Sequence, residues 1–406
     1  MDKEISKLIN KELARQNGTI NLIASENYPS KEVLEALGSV FTSKYAEGYP
    51  GRRYYAGNSI SDEIEELAKK RALKLYNLQP ANWSVNVQPY SGSPANLAVY
   101  FALVPPGGKI MGLRLDMGGH LTHGHRVSAT GKLWTQVPYG VDSKTEKIDY
   151  EALLKMAKRE RPNIIVAGFT AYPRKINFQK FGEIASSAGA LLMADVAHIA
   201  GLIAAGVHPS PFPYADVVTT TTHKTLRGPR AALIFSKKKW SEAIDKAVFP
   251  GLQGGPHLNQ IAATAVALKE AKSADFKKYA RQILRNAKAL AAELKRLGWR
   301  IVSGGTENHL ILVDVARRGL SGKSASDLLE GAGIIVNKNT IPYDKRLPTD
   351  PSGLRIGTPA MTTRGMKERE MIKIAELIDA VLLNKKPFAE IRKEVLELSK
   401  KFPLPY

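Results

Sequence analysis

Apolar and polar residues alternate along the chain with two different periods. The segment SDEIEELAKKRALKLYN (61–77) has an apolar residue every three or four positions, which is typical of an amphipathic helix. Helical segments such as YEALLKMAKRE and KFGEIASSAG separate several of five short apolar or β-branched runs, which indicate strands. The five runs are KIMGL (109–113), IIVAGF (164–169), ALLMAD (190–195), VVTTTT (217–222) and AALIF (231–235). This order predicts an α/β fold with a mostly parallel sheet covered by helices on both faces.

The last third of the chain has a different order of elements. A long helical stretch, KKYARQILRNAKALAAELKRLG, precedes the strand-like segments WRIVSG, HLILVDV and GIIVNKN, and a helical segment closes the chain. This order predicts a smaller α+β domain at the C-terminus. We therefore expect an N-terminal arm over residues 1–30, a large domain over 31–272 and a small domain over 273–406.

Composition narrows the class of protein. The chain has no cysteine, which excludes disulfides, thiolate metal sites and cysteine nucleophiles. No apolar run approaches the roughly 18 to 20 residues of a membrane span, and the charged start MDKEISKLINKELARQNG does not resemble a signal peptide, so we expect a cytoplasmic protein. The net charge of +21 is compatible with a nucleic-acid surface, but the basic residues are dispersed. We therefore do not expect nucleic-acid binding to be the main function, and secondary RNA binding stays an alternative.

Candidate chemistry follows the predicted strands, because ligands of such sheets bind beyond the carboxyl ends of the strands. Lys224 follows VVTTTT and could act as a nucleophilic amine, although a solvated loop lysine is the commoner case. Asp195 ends ALLMAD and could accept a hydrogen bond from a protonated pyridine nitrogen, or could cap the next helix. The segment Ser91–Ser93 precedes Pro94 and an apolar helix, which is typical of a phosphate site and also of a serine-capped turn.

Two further segments are less specific. Gly254 and Gly255 in FPGLQGGPH would let the backbone approach an anion, although a plain turn is the commoner explanation of such a pair. The three histidines of GGHLTHGH could bind zinc with a further ligand, or one ring could lie against a planar cofactor. A lysine, a carboxylate and a helix start on one sheet match the needs of pyridoxal phosphate: a covalent anchor, a partner for the ring nitrogen and a phosphate site.

The chain also resembles the serine hydroxymethyltransferase family over residues 20–370. The motifs are NLIASENYPS, KYAEGYPGRRYYAGN, GGHLTHG, ADVAHIAGL, TTTTHKTLRGPR, QGGP and SGLRIGTPAMTTRGM, in the order of the family. The resemblance implies the aspartate-aminotransferase type of pyridoxal-phosphate fold (fold type I) and a homodimer with shared active sites. It implies an enzyme of one-carbon metabolism and amino-acid biosynthesis that moves a hydroxymethyl group between L-serine and a reduced pterin such as tetrahydrofolate, leaving glycine.

The resemblance implies a role for each matching residue. Lys224 forms the aldimine with the cofactor, and the other residues with a catalytic role are Glu47 as acid or base, His223, Thr221 and Tyr55. The residues implied to contact the cofactor are Ser91, Gly92, Ser93, His120, Thr170, Asp195, His198 and Arg230, with Tyr45, Gly254 and Gly255 coming from the partner subunit. The residues implied to contact the substrates are Arg355, Ser25, Tyr55 and Glu47 for the amino acid, and Leu115, Leu121 and Asn339 for the pterin. No metal is implied.

Some positions depart from the pattern of the family. Thr170 stands where a serine is common, and Met117 stands where a histidine is usual, which leaves the identity of the pterin open. The nearest alternative is a pterin-independent aldolase acting on 3-hydroxy amino acids such as threonine. The segment KNTIPYD and the long C-terminal domain favour the transferase. A histidine metal enzyme and an RNA-binding protein are more distant alternatives.

Overall fold

The computed structural model describes residues 2–406, and the contacts within it divide the chain into two compact units. The central unit contains Pro29–Thr170 and Lys175–Ala280. The terminal unit contains the chain up to Tyr28, Ala171–Arg174 and Arg281–Tyr406. The three domain boundaries expected from the sequence remain predictions.

Helices and strands alternate through most of the chain. The helices are α1 Lys3–Asn17, α2 Lys31–Leu37, α3 Ser59–Leu75, α4 Gly92–Leu103, α5 Ala129–Leu133, α6 Tyr150–Glu160, α7 Phe178–Ala188, α8 Ala200–Ala204, α9 Ser241–Lys246, α10 Leu258–Ala271, α11 Ala274–Arg296, α12 Gly322–Gly331, α13 Pro359–Thr363, α14 Glu368–Leu382 and α15 Phe388–Lys400. The strands are β1 Ile20–Asn21, β2 Gly48–Tyr49, β3 Arg52–Arg53, β4 Trp83–Asn86, β5 Lys109–Leu113, β6 Thr135–Tyr139, β7 Ile164–Gly168, β8 Leu191–Asp195, β9 Val217–Thr221, β10 Ala232–Lys237, β11 Arg300–Ile301, β12 Leu310–Asp314, β13 Ile334–Ile335, β14 Asn337–Asn339 and β15 Gly353–Gly357.

The central unit is built on a seven-stranded sheet with the order β4-β10-β9-β8-β7-β5-β6. The five strands from β9 to β6 are parallel, and β10 runs antiparallel to both of its neighbours. The five strands expected from the sequence are present, and the prediction of an α/β fold with a mostly parallel sheet is confirmed. The sequence did not indicate β4 or β6, which lie at the two edges of the sheet.

Burial explains why these strands form. All five residues of β7 and of β9 are buried, as expected for inner strands covered on both faces. Helix α4 packs on the sheet through Ala95, Val99 and Tyr100, which share one apolar cluster with Ile164 and Met193. Because α4 is held by this cluster, its first turn has a fixed position beside the carboxyl ends of the strands.

The terminal unit contains a four-stranded antiparallel sheet with the order β11-β12-β15-β14. Its apolar cluster includes Leu22 near the N-terminus, Ile311 and Ile356 of the sheet, and Ile374 of α14. The guanidinium of Arg364 donates to the backbone carbonyls of Gln16 and Ser399, at 3.1 and 2.7 Å. The two ends of the chain are thereby joined within this unit. No helix within residues 2–406 is long and apolar enough to cross a membrane.

Candidate active site

Lys224 lies in the loop that joins β9 to β10. Thr222 closes this loop: its backbone carbonyl accepts from Gly228 N–H at 2.7 Å, its hydroxyl donates to the carbonyl of Pro229 at 2.5 Å, and it accepts from Ala231 N–H at 3.2 Å. The β-branched run therefore does more than form a strand, because its last residue also ties the far end of the loop to the strand end. The backbone that carries Lys224 is held in one conformation.

Arg227 also anchors this loop. Its backbone has a positive φ of 59°, an uncommon conformation for a residue with a side chain. Its guanidinium lies over the ring of Tyr279, 4.2 Å from the centroid, and 5.4 Å from that of Phe276. These contacts hold Arg227 in place, and its N–H donates to the carbonyl of Lys224 at 3.2 Å.

His223 is a neutral imidazole next to Lys224. Burial, together with the positive charges of Lys224 and Arg230, lowers the pKa of His223 to about 3. Its Nδ1 is buried and has no hydrogen-bond partner within residues 2–406. A buried ring nitrogen without a partner costs free energy, so this atom is suited to bind a polar group of a ligand.

Asp195 ends β8 and is buried, with 9% of its surface exposed. Its Oδ2 accepts from Nδ2 of Asn96 at 2.8 Å and from Nε2 of His123 at 3.1 Å, and its Oδ1 accepts from the N–H of Ala197 at 3.1 Å. Burial alone would raise the pKa of Asp195, but the hydrogen bonds from His123 and Asn96 lower it below its ordinary range. Asp195 is therefore an anion at every pH near neutrality.

The two histidines of GGHLTHGH that precede Gly124 have different surroundings. The buried ring of His123 accepts a bond at Nδ1 from the N–H of His120, at 3.2 Å, so its proton lies on Nε2 and is donated to Asp195. The half-buried ring of His120 accepts at Nδ1 from the N–H and the hydroxyl of Thr122, at 3.2 and 2.7 Å. Within residues 2–406 no three potential ligands of the His, Cys, Asp and Glu types come together as a metal site.

The first turn of α4 lies against the end of β9. A β-carbon added to Gly92 would come within 2.9 Å of the Cγ2 of Thr221, so this approach requires glycine. Ser91 is the N-cap residue, and its side chain makes no capping hydrogen bond. The first N–H groups of α4 and the hydroxyls of Ser91 and Ser93 are the elements of a phosphate site. The contact between Gly92 and Thr221 therefore places this first turn close to the strand that precedes Lys224.

The loop after β7 completes this edge of the sheet. Gly168 of β7 is paired with Asp195 of β8, and two residues later the N–H of Thr170 donates to the carbonyl of Gly118 at 2.7 Å. The ring of Phe169 stacks with the buried ring of His198, with 6.3 Å between centroids. The structure thus places Thr170 after the end of β7, and Asp195 and His198 at and after the end of β8, on the same edge of the sheet. Arg230, in contrast, is exposed.

A second cluster in the central unit contains Tyr45, Glu47, Tyr55, Gly254 and Gly255. The hydroxyl of Tyr45 donates to Oε1 of Glu47 at 3.2 Å, and the rings of Tyr45 and Tyr55 meet edge to face at 5.1 Å. β-Carbons added to Gly254 and Gly255 would lie 3.3 Å from Glu47 and 3.6 Å from the Tyr45 ring. Tyr45 and Tyr55 are 56% and 48% exposed, so both rings of this cluster are open to solvent.

Arg355 is a buried cation of the terminal unit. It lies on β15, 7% exposed, and its Nε donates to Oδ1 of Asn337 at 2.9 Å. Burial lowers the pKa of Arg355 to about 10, so it remains a cation at neutral pH. Ser25 follows Ala24, whose Cα lies 2.4 Å from the position of a β-carbon on Gly357, two residues beyond Arg355. Asn339 lies two residues beyond Asn337 on β14 and donates to the carbonyl of Thr340.

The residues expected near the pterin have different exposures. Leu121 is 42% exposed and Leu115 is half-buried. Met117 is buried, and a β-carbon on Gly140 would come within 2.8 Å of its sulfur. The methionine that replaces the usual histidine therefore packs between strand ends, so its effect on a ligand would be indirect.

Sequence reasoning missed the residues that surround Asp195 and Arg355. Asn96 donates to Asp195 and to Thr122 and accepts from Thr219, and Asn337 accepts from Arg355. His123 was noted only as one of three clustered histidines. The available signal was Asn96 itself, a polar residue inside the apolar helix GSPANLAVYFAL.

One edge of the parallel sheet brings together a lysine in a fixed loop, a buried carboxylate and a helix N-terminus. This arrangement defines the site of an α/β enzyme. The chain belongs to the serine hydroxymethyltransferase family, because the family model described as "Serine hydroxymethyltransferase" matches residues 1–378. It is also similar to the serine hydroxymethyltransferase of Desulfotalea psychrophila (strain LSv54 / DSM 12343), with 53% identity over 407 residues that cover 100% of this chain and 95% of the relative. The predicted family and the prediction of a transferase are confirmed.

Proposed function

We propose that the enzyme transfers a hydroxymethyl group reversibly between L-serine and a reduced pterin, tetrahydrofolate or a related one, with pyridoxal phosphate as cofactor. The observation that carries this proposal is Asp195, a buried carboxylate kept anionic by three donors at the sheet edge where Lys224 follows its strand. Such a carboxylate suits a cationic ring nitrogen. Membership of the family supports the same substrates.

The residues present fit pyridoxal phosphate at three points. A carboxylate has about four acceptor positions, so the three donors to Asp195 leave one on Oδ1 for a ring N–H. The unpartnered Nδ1 of His223 can take a second polar group. The side chain of Ser91 does not cap α4, which leaves the first N–H groups of this helix for the phosphate. We propose that Lys224 is the covalent anchor, with His120, His198, Thr170 and Arg230 also near the ring.

The protein residues bind and orient the amino acid. When bound, pyridoxal phosphate supplies an electron sink for the charge left at Cα as the bond to the hydroxymethyl carbon breaks. Arg355 presents a planar fork of donors that matches the substrate carboxylate, and Asn337 fixes the orientation of the guanidinium. Ser25 assists Arg355, and Leu115, Leu121 and Asn339 contact the pterin.

Glu47 has the role of moving a proton at the substrate hydroxyl or the pterin. To deliver a proton, its carboxyl must hold or share one. The hydroxyl of Tyr45 donates to Oε1 of Glu47, and the negative charge of Glu47 raises the pKa of Tyr45. Tyr45 therefore stays a neutral donor, which fixes the Glu47 carboxyl in one orientation.

We propose that the active enzyme is a homodimer with shared sites. Tyr45, Tyr55 and Glu47 form an exposed cluster with Gly254 and Gly255, and an exposed cluster of this kind fits a surface that completes the site of a second copy. In this arrangement Gly254, Gly255 and Tyr45 join the phosphate site of the other subunit, and Tyr55 and Glu47 face its amino acid.

A spectrum of the purified protein with glycine tests the proposed function. Cofactor linked to Lys224 should give a visible absorbance band, and glycine with tetrahydrofolate should produce a further band at longer wavelength. Serine cleavage should require the pterin. A colourless protein after incubation with pyridoxal phosphate would refute the proposal, and cleavage of serine or threonine at the same rate without the pterin would instead show an aldolase.

A further inference from the structure

The side chain of Asn96 uses both of its N–H donors and its carbonyl oxygen inside the central unit. One Nδ2–H donates to Oδ2 of Asp195 and the other to the hydroxyl of Thr122, both at 2.8 Å, and Oδ1 accepts from the hydroxyl of Thr219 at 2.7 Å. The side chain is 1% exposed, so water does not compete for these bonds. Two N–H donors and a carbonyl with three different partners allow only one orientation of the amide.

The partners of Asn96 connect two residues that face the proposed cofactor site. The hydroxyl of Thr122 accepts from Asn96 and donates to Nδ1 of His120 at 2.7 Å, which leaves the proton of a neutral His120 ring on Nε2. A second path runs from the N–H of His120 through His123 to the same oxygen of Asp195. Asp195 and His120 are therefore linked by a closed, buried ring of hydrogen bonds.

Asn96 attaches this ring of hydrogen bonds to the rigid helix α4. Asn96 stands four residues after Gly92, on the same face of the helix as the first turn. Thr219 lies on the buried inner strand β9 and is paired directly with Asp195 of β8. One rigid helix thus carries the proposed phosphate site at its start and, one turn later, the amide that orients the partner of the ring nitrogen.

We propose that Asn96 is a positioning residue that holds the carboxylate of Asp195 and, through Thr122, the ring of His120 against the cofactor. This inference rests on the proposed function, because it requires pyridoxal phosphate to lie between these residues. Asn96 does not touch the substrate and acts only through Asp195 and His120.

The variant Asn96→Asp tests the proposal because it keeps the size of the side chain and replaces its donors by acceptors. At high pH two carboxylates would face each other, whereas at lower pH they share a proton and one donor is restored. Removing a donor to a charged group should weaken cofactor binding by about tenfold to a hundredfold. We expect this loss at pH 9, and we expect it to shrink as the pH falls to 6.

Three further variants make the test specific. Asn96→Leu removes all three bonds and should weaken cofactor retention to the same degree at every pH. Thr122→Val removes the bonds of the Thr122 hydroxyl to Asn96 and to His120 but keeps the bond from Asn96 to Asp195. It should cause a smaller loss with the pH dependence of the wild type. Asn82→Asp places the same new charge at an exposed asparagine and should behave as the wild type.

The measurement is the amount of pyridoxal phosphate retained by each holoenzyme during dialysis between pH 6 and 9, with the absorbance of the bound cofactor. A loss in Asn96→Asp that is the same at every pH would assign Asn96 a purely structural role and overturn the proposal. If Asn96→Asp retains pyridoxal phosphate within twofold of the control Asn82→Asp at every pH, the proposal is also overturned. If the wild type itself binds no pyridoxal phosphate, the proposed function fails. If the wild type binds pyridoxal phosphate and the Asn96 variants retain it equally well, only this inference fails.

Discussion

Gly92 and Thr221 approach so closely that a β-carbon on Gly92 would lie 2.9 Å from the Thr221 methyl group. This contact joins the first turn of α4 to the end of β9, three residues before Lys224. Neither element can yield easily, because α4 is packed on the sheet and β9 is buried along its whole length. The contact therefore sets the distance between the proposed phosphate site and the lysine.

Gly92→Ala should disturb this distance. We expect a loss of stability of about 1–3 kcal/mol from overpacking, and at least tenfold weaker retention of pyridoxal phosphate. Calorimetry and dialysis of the holoenzyme would measure the two effects. Thr221→Ser removes only the methyl group that the new β-carbon would meet, so the double variant should recover most of the loss. If the double variant is no better than Gly92→Ala, the contact does not control the site.

Lys224→Ala should abolish the absorbance band of the lysine-linked cofactor, because the proposed covalent anchor is removed. The fold should persist, since Thr222, Gly228 and Ala231 close the loop without the lysine side chain. Absorbance spectra of the variant and of Lys239→Ala, an exposed lysine, give the comparison. A Lys224→Ala protein with the spectrum of the wild type would show that another lysine is the anchor.

The sequence predicted the inner strands because each is a continuous apolar or β-branched run. The edge strand β6 has the sequence TQVPY, in which Gln136 and Pro138 interrupt the run, and proline is tolerated at an edge where it need not donate. The other edge strand, β4, is only four residues long and half polar. The local sequence pattern therefore did not predict the edge strands, which have only one neighbouring strand and little apolar surface to bury.

Local sequence also predicted some residues of the candidate site and missed others. Lys224 and Asp195 stand directly after predicted strands, so local sequence was sufficient to propose them. Asn96 binds Asp195 across 99 residues and Thr219 across 123 residues of sequence, and no local pattern encodes such pairs. The orientation of the site depends on these long-range contacts, which become visible only when the sheet and α4 are assembled.

Arg355→Ala should weaken binding of serine and glycine by roughly tenfold to several hundredfold, since a charged, bidentate hydrogen-bonding partner of the carboxylate would be lost. Arg355→Lys should recover only part of the loss, because an ammonium lacks the planar fork. Spectral titration of the holoenzyme with glycine measures the affinity directly. Arg317→Ala, whose side chain is 70% exposed, is the control. If glycine saturates Arg355→Ala at the same concentrations at which it saturates the wild type, Arg355 does not bind the substrate carboxylate.

Mixing two inactive variants tests whether the sites are shared between subunits. In a heterodimer of Lys224→Ala and Glu47→Gln chains, one site carries both changes and the other carries none. If equal mixing gives random pairing, about a quarter of the wild-type activity should return. The matched control mixes Lys224→Ala with Asp195→Asn, which belong to the same side of the site, and should recover nothing. Recovery in neither mixture after subunit exchange has been demonstrated would show that each chain forms its own site.

His223 should make the stability of the enzyme depend on pH. Its pKa of about 3 in the folded state lies below the value near 6.5 that is expected for the unfolded chain. Between these values the unfolded chain binds a proton that the folded chain does not, so stability falls as the pH decreases through this window, by up to about 1.4 kcal/mol per pH unit. The melting temperature of cofactor-free wild type should therefore fall more steeply from pH 7 to pH 5 than that of His223→Asn. Parallel curves would show that the folded protein accepts the proton, and that His223 is not held neutral beside Lys224.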